Sequence, residues 1–182
     1  MTVVIYWLLY VVVVRKKGVR FSPSVLSIAK DGVLQKEVKM NYKNVKNIIF
    51  ICKYNAFRSK IAESYFKKIN KNNKIKAVSR GFIMGEVADK MQKRKAKEIG
   101  IEIKGKSKPL ILKELIKSDL IIVVAKDIPK IMFNYWLAPI NKKVVFWKIS
   151  DEQKMNEKNI EKIVKKIKNK VEILIKKLEK EK

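Results

Sequence analysis

Residues 48 to 69 read Ile48-Ile49-Phe50-Ile51-Cys52-Lys53-Tyr54-Asn55-Ala56-Phe57-Arg58-Ser59-Lys60-Ile61-Ala62-Glu63-Ser64-Tyr65-Phe66-Lys67-Lys68-Ile69, and the way they divide decides the fold. Four apolar residues run without a break into the only cysteine of the chain, as in a buried strand. After a short loop the spacing becomes helical. Ile61, Ala62, Tyr65, Phe66 and Ile69 fall on one face, and Lys60, Glu63, Lys67 and Lys68 on the other. The stretch therefore predicts a strand, a loop and a helix N-terminus, with the loop in the form Cys-x5-Arg-Ser.

That arrangement suits an anion. A helix N-terminus leaves backbone N–H groups unpaired and carries the positive end of the helix dipole. A loop leading into it can wrap those groups around a phosphate-like oxyanion. A thiolate at Cys52 is stabilised in such a place and becomes a nucleophile near neutral pH. Of 44 Lys plus Arg residues only positions 15, 20, 58, 80 and 94 are Arg, and one of them stands six residues after the only Cys. A guanidinium grips two oxyanion oxygens at once with a planar fork, which an ammonium cannot do. Ser59 can hydrogen-bond the thiolate and stabilise it as a leaving group. The plainer alternative is a buried structural Cys with Arg58 on a solvated helix turn; the strand–loop–helix context weighs against it.

The chain of 182 residues is long enough for one domain with a proper core, and its apolar content of 47% fits a globular protein. A formal net charge of +27 suggests anionic partners. The lysines are spread along the whole length and no nucleic-acid motif occurs, so a solvated surface is expected in preference to specific nucleic-acid recognition. The absence of His removes Cys–His and Ser–His pairs and His-ligated metals. A single Cys removes any internal disulfide or cysteine-cluster metal site and fits a reducing, cytoplasmic compartment. Any acid catalyst must then be one of 17 Asp and Glu residues.

Residues 3–14 are continuously apolar and are followed by Arg15-Lys16-Lys17. The run is shorter than the roughly 17–25 residues of a spanning helix. It reads as a short membrane anchor, a β-branched strand, or sequence lying upstream of the true start, with membrane contact through 3–14 not favoured. Residues 1–44 are taken as an N-terminal apolar and basic extension, and 45–182 as the domain. From Val45 strands and helices alternate. A strand over Lys74–Val78 ends at Ser79-Arg80-Gly81, and a helix over Ala88–Ile99 ends at Gly100 as a C-terminal cap. Ile101–Ile103 is extended, and a helix over Leu110–Lys117 has Pro109 near its start. Leu120–Val124 is a central strand, Ile128–Leu137 a helix and Val144–Trp147 the last strand. A long helix over Asn156–Lys180 carries Ile160, Ile163, Val164, Ile167, Val171, Leu174, Ile175 and Leu178 along one stripe. This alternation predicts an α/β fold with a parallel sheet covered on both faces. Ligands bind beyond the carboxyl ends of such strands, and Cys52, Ser79, Asp127 and Asp151 all lie at or just past predicted strand ends.

The loop resembles the signature of the low-molecular-weight protein tyrosine phosphatases and the related thiol-coupled arsenate reductases. Their pattern is an apolar strand, then C-x-G-N-x-C-R-S, then an amphipathic helix carrying Ala-Glu. Cys52, Asn55, Arg58, Ser59, Ala62 and Glu63 match; Tyr54 stands where the family has Gly, and Phe57 where it often has a second Cys. Ser79-Arg80-Gly81 is similar to the family's Ser-Ala-Gly turn, and Gly100-Ile101-Glu102-Ile103 with Lys106-Ser107-Lys108 to its Gly-Ile-Asp stretch and basic-polar turn. Ser118 to Val123 resembles Ala-Asp-Leu-Ile-Leu-Val, and Trp147-Lys148-Ile149-Ser150-Asp151 resembles the Trp-x-x-x-Asp-Pro close of the arsenate-reductase-like branch, with Glu152 in place of Pro. The resemblance spans roughly residues 45 to 180. It implies a four-stranded parallel sheet with helices on both faces and a phosphate-binding loop after the first core strand.

It also implies a reaction: phosphomonoester hydrolysis through a cysteinyl-phosphate, with an aryl phosphate such as phosphotyrosine as substrate. Cys52 attacks phosphorus, Arg58 and the loop N–H groups hold its oxygens, Ser59 supports the thiolate, and Asp151 is the general acid, with Asp127 its rival. Lys53, Tyr54, Asn55, Ala56, Phe57 and Ser79 line the substrate site. No cofactor or metal is called for, and the partner is a phosphorylated protein or a small phosphomonoester. Two alternatives stand beside this. An arsenate reductase would need an external thiol, because Ala125-Lys126-Asp127-Ile128-Pro129 occupies the place of the relay Cys. A non-catalytic oxyanion- or phosphoprotein-binding module is motivated by Tyr54 and Glu152.

Overall fold

The computed structural model describes residues 40–83, 85, 87–130, 133, 143–151 and 156–181. The apolar run 3–14, most of the basic segment after it, most of the helix expected over 128–137, and Glu152 lie outside the described residues.

Two apolar hexapeptides form the middle of the sheet. Asn47–Cys52 (β1) and Leu120–Ala125 (β3) are buried along nearly their whole length and pair in parallel, Ile48 opposite Leu120 and Ile51 opposite Val123. Lys76–Gly81 (β2) joins β1 in parallel from Asn47↔Lys76 to Cys52↔Gly81, and Val144–Ile149 (β4) joins β3. The order is β2-β1-β3-β4, with every pair parallel. The chain steps from β1 to β2 on one side and returns to β3 on the other. The loops after β1 and β3 therefore diverge and leave a crevice at their carboxyl ends.

Strand side chains alternate between two cores. Ile48, Phe50, Leu120, Ile122 and Val124 point to one, and Ile49, Ile51, Ile121, Val123 and Ala125 to the other. The first is covered by helices Arg58–Ile69 (α1), Lys90–Glu98 (α2) and Glu157–Lys180 (α4). All eight stripe residues of α4 are buried there. The second core is covered by Leu115 of the short helix Leu112–Lys117 (α3), with Ile128 and Phe133. Helices thus lie on both faces, as the alternation predicts. Among the described residues no helix is long and apolar enough to cross a membrane.

The structure corrects the sequence reading in four places. Lys60 is not on the solvated face of α1 but 6% exposed, its ammonium donating to the carbonyl of Lys104 at 3.0 Å. Pro109 does not open a helix; it pairs with Gly81 as an isolated parallel bridge, and the following Leu110 N–H donates to Gly81 at 2.8 Å. β2 runs on through Ser79 to Gly81, because pairing with β1 sets its end and its own apolar content does not. β4 continues two residues past Trp147 by means of a bulge: Val123 faces Phe146 but Ala125 faces Ile149. Lys148, inside the bulge, has a positive φ of 54°. Gly100, at φ 77°, ends the α2 segment in the left-handed conformation expected of a helix cap.

Candidate active site

Cys52 is the last residue of β1, and α1 opens six residues later at Arg58. Phe57 precedes the helix without any side-chain cap, and no acidic side chain stands in the first turn. Both features leave the helix start favourable to an incoming anion. The Phe57 side chain itself is buried in the core, so it offers the crevice backbone only. Cys52 is 3% exposed, and its sulfur lies 3.0 Å from the Ser59 hydroxyl.

The loop turns on Asn55. It is fully buried and holds a left-handed backbone at φ 52°, a conformation that Asn tolerates better than most residues. Its amide nitrogen donates to Ser59 at 2.9 Å and to Ser79 at 2.8 Å, and its amide oxygen accepts from the Lys108 N–H at 2.9 Å. Ser79 lies inside β2 and not past the strand end, and its hydroxyl donates to Glu63 at 2.5 Å. One side chain thus joins the loop, α1, β2 and the 104–108 segment.

Close backbone packing completes the shape. A Cβ on Gly81 would come within 2.7 Å of the Tyr54 carbonyl carbon, 2.8 Å of the Asn55 nitrogen and 2.9 Å of the Ile83 oxygen. Tyr54, in the place of the family Gly, does not have a positive φ, so its backbone asks for nothing only Gly can give. Its Cβ sits 2.5 Å from where a Cβ on Gly85 would be, so Gly85 makes the room that Tyr54 fills. Lys53 holds its ammonium 4.8 Å from the centre of the Tyr54 ring, and Ser107 donates to the Tyr54 carbonyl at 2.5 Å.

Arg58 is 3% exposed and anchored from three directions. Nη1 donates to Asp127 Oδ1 at 2.7 Å and to the Ile149 carbonyl at 3.0 Å; Nη2 donates to Asp127 Oδ2 at 3.3 Å and Asp151 Oδ2 at 2.9 Å. Burial pulls the guanidinium pKa down. The Asp127 hydrogen bond and the charges of Asp151, Asp127 and Cys52 more than reverse this, so Arg58 stays charged above its ordinary range. Burial likewise pulls Lys60 below the ordinary lysine range, with Glu63 opposing and Lys108 and Arg80 reinforcing. Cys52, Asn55, Arg58, Ser59, Ser79, Asp127 and Asp151 therefore meet at one end of the sheet. Gly81, Glu63, Lys60, Ser107 and Lys108 support them and were given no role from sequence. A glycine closing a strand beside the loop was the available signal for the first.

The sequence model of the low molecular weight phosphotyrosine protein phosphatases matches residues 47–182. Among curated proteins none matches the chain in sequence. The fold is similar to that of the YwlE arginine phosphatase from Geobacillus stearothermophilus, with a TM-score of 0.66 and 19% identity over 75% of this chain and 94% of that one. It is similar to Wzb from Vibrio vulnificus, solved with benzylphosphonate (TM-score 0.62, 22% identity, 74% of this chain and 99% of that one). It is also similar to an arsenate reductase from Archaeoglobus fulgidus (TM-score 0.56, 26% identity, 71% of this chain and 98% of that one).

Proposed function

This chain belongs to the low molecular weight phosphotyrosine protein phosphatase family, and we propose that it hydrolyses phosphomonoesters, aryl phosphates such as phosphotyrosine foremost, through a cysteinyl-phosphate. The observation that carries the reading is the buried Arg58 fork held beside the Cys52 loop by Asp127, Asp151 and the Ile149 carbonyl. These groups take all four Nη–H bonds, so a phosphoryl group binds by displacing carboxylate oxygens from a guanidinium that is already in place.

Cys52 as thiolate attacks phosphorus; the S–P bond forms as the bond to the leaving oxygen breaks. Loop N–H groups and Arg58 hold the three equatorial oxygens. Asp127, which meets both Nη nitrogens in the free protein, yields the Nη2 contact to the phosphoryl oxygens and, with the Ile149 carbonyl, keeps the guanidinium oriented through Nη1. Asp151 reaches Nη2 and is assigned as the general acid that protonates the leaving oxygen. In the second step Asp151 takes a proton from water as that water attacks phosphorus, and Cys52 leaves as thiolate with the Ser59 hydroxyl donating to it.

The test is turnover of p-nitrophenyl phosphate. Cys52→Ser is expected to abolish hydrolysis while keeping phosphate binding. Arg58→Lys is expected to lose on the order of a hundredfold in kcat, because charge alone does not replace the fork. Near-normal rates in Arg58→Lys would remove this site from the reaction. The likeness to the Archaeoglobus enzyme favours a second reading, arsenate reduction. With one Cys in the chain it needs an external thiol, so arsenate with glutathione is the companion assay.

A further inference from the structure

The carboxyl-end rim of the sheet carries cations that its own acids do not balance. Lys106, Lys108, Lys126 and Lys148 are all exposed, and among the described residues none of the four lies in an ion pair. Lys108 and Lys126 are tied to the Cys52 loop or its arginine by their own backbone, and Lys106 and Lys148 through the next residue. The Lys108 N–H donates to Asn55, and Ser107, next to Lys106, donates to the Tyr54 carbonyl. The Lys126 N–H donates to the Ile149 carbonyl at 2.9 Å, the same oxygen that accepts from Arg58, and Lys148 immediately precedes it. Two described carboxylates stand on this rim after β3 and β4, Asp127 and Asp151, and both are turned to Arg58. Glu102 pairs with Lys104. On the helices the charges are interspersed: Glu63 pairs with Lys67, Glu98 with Lys95 and Glu161 with Lys165.

We propose that the preferred substrate is an acidic phosphorylated segment of a protein, a phosphotyrosine flanked by Asp and Glu. The inference rests on the phosphatase reading above and narrows it. An ammonium on a flexible stem is a hydrated point charge, so it reads negative charge near the phosphoryl group without demanding an exact position. Cations gathered at a crevice raise the local concentration and encounter rate of anions, and the effect fades with salt over a Debye length of about 8 Å at physiological strength. Lys106 and Lys108 lie on the segment that packs against the Cys52 loop, Lys126 just after β3 and Lys148 in the β4 bulge, so the charges come from three parts of the chain. A single-stranded nucleic acid would ask for a ladder of stacking surfaces, and Tyr54 is the exposed aromatic among the described residues.

The test compares a phosphotyrosine peptide with Asp and Glu flanks, the same peptide with Ser and Gln flanks, a 5′-phosphorylated oligonucleotide and p-nitrophenyl phosphate. The proteins are the full chain, a rim variant (Lys106→Gln, Lys126→Gln, Lys148→Gln) and a control of equal charge on α4 (Lys166→Gln, Lys170→Gln, Lys176→Gln). The acidic peptide is expected to exceed the neutral one about tenfold in kcat/KM at low salt. The margin should shrink at physiological salt and in the rim variant, and persist in the control. The rim variant should hydrolyse p-nitrophenyl phosphate within about twofold of the full chain. Equal rates on the two peptides, an equal loss in the control, or a preference for the oligonucleotide overturns the proposal. If p-nitrophenyl phosphate and the peptides are all inert, the phosphatase reading itself falls. Titration of Cys52→Ser with the acidic peptide then decides the charge inference: binding that weakens with salt and in the rim variant keeps it, and no binding ends it.

Discussion

At the scale of single residues, the crevice is built from positions where one atom more or less changes the chemistry. Gly81 is the sharpest case. Its missing Cβ would strike backbone atoms of the loop and of Ile83, none of which can swing aside as the end of a flexible side chain can. Gly81→Ala is expected to lower stability by about 1–3 kcal/mol, as other overpacked sites do, and to cost the loop its anion affinity. Thermal unfolding with and without phosphate checks both; an unchanged phosphate-induced shift in Tm would show that the loop does not depend on this contact. Asp127 and Asp151 separate by a different measurement. If Asp151 is the general acid, Asp151→Asn lowers kcat most for esters with poor leaving groups, because a supplied proton matters most there. Asp127→Asn is expected to slow good and poor leaving groups alike, through Arg58. A flat response in Asp151→Asn together with a graded one in Asp127→Asn would exchange the two roles.

At the scale of elements, α1 and α4 are joined across the core by more than apolar packing. The Tyr65 hydroxyl donates to Glu172 at 2.6 Å. Burial, then the Glu172 hydrogen bond and its charge, push the phenol up to about 12 from 10.0. The folded state therefore holds this proton more tightly than the unfolded chain does. The contribution is whole below pH 10.0 and is lost as pH climbs toward about 12. Urea unfolding across that window should show a fall in stability that Tyr65→Phe lacks; parallel curves for the two proteins would remove the linkage. Elements with a strong pattern were legible in the sequence: the α4 stripe matches residue for residue, and the short apolar runs of β1 and β3 are the two central strands. What escaped was set by neighbours. β2 has little apolar content, and its end follows its pairing with β1. Pro109 had the composition of a helix start, but the Gly81 backbone offered a partner and the chain stayed extended. Lys60 looked solvated because its period was right and its ammonium can reach the Lys104 carbonyl only in the folded chain. In the candidate site, residue types were legible at Cys52, Asn55, Arg58 and Ser59, whereas the sharing of Arg58 between two carboxylates required the ends of β3 and β4 to be placed side by side.

At the scale of the whole molecule, the chain has a single thiol, and Phe57 fills the place where a resolving cysteine would trap its oxidised form. Peroxide converts a thiolate to a sulfenic acid, which here has no internal thiol to condense with and must meet an external thiol, close on a backbone nitrogen or go on to the sulfinic acid. Peroxide without thiols is expected to inactivate the protein irreversibly, with phosphate slowing the loss; full recovery in dithiothreitol would show that oxidation stops at a thiol-reducible stage, and a loss that phosphate does not slow would show that the oxidised group lies outside the anion site. The sheet that carries this thiol also keeps count. β4 spends three residues where β3 spends two, and the surplus is Lys148. For the strand itself that residue is open to exchange, and Gly or Asn would sit more comfortably at its positive φ. Its presence is not. Losing one residue there would leave Ile149 opposite Ala125 but send its side chain toward the opposite face, and would turn the residues that lead on to Asp151 with it. This short exposed stretch therefore tolerates spelling changes and forbids changes of length, the reverse of what a surface segment usually permits.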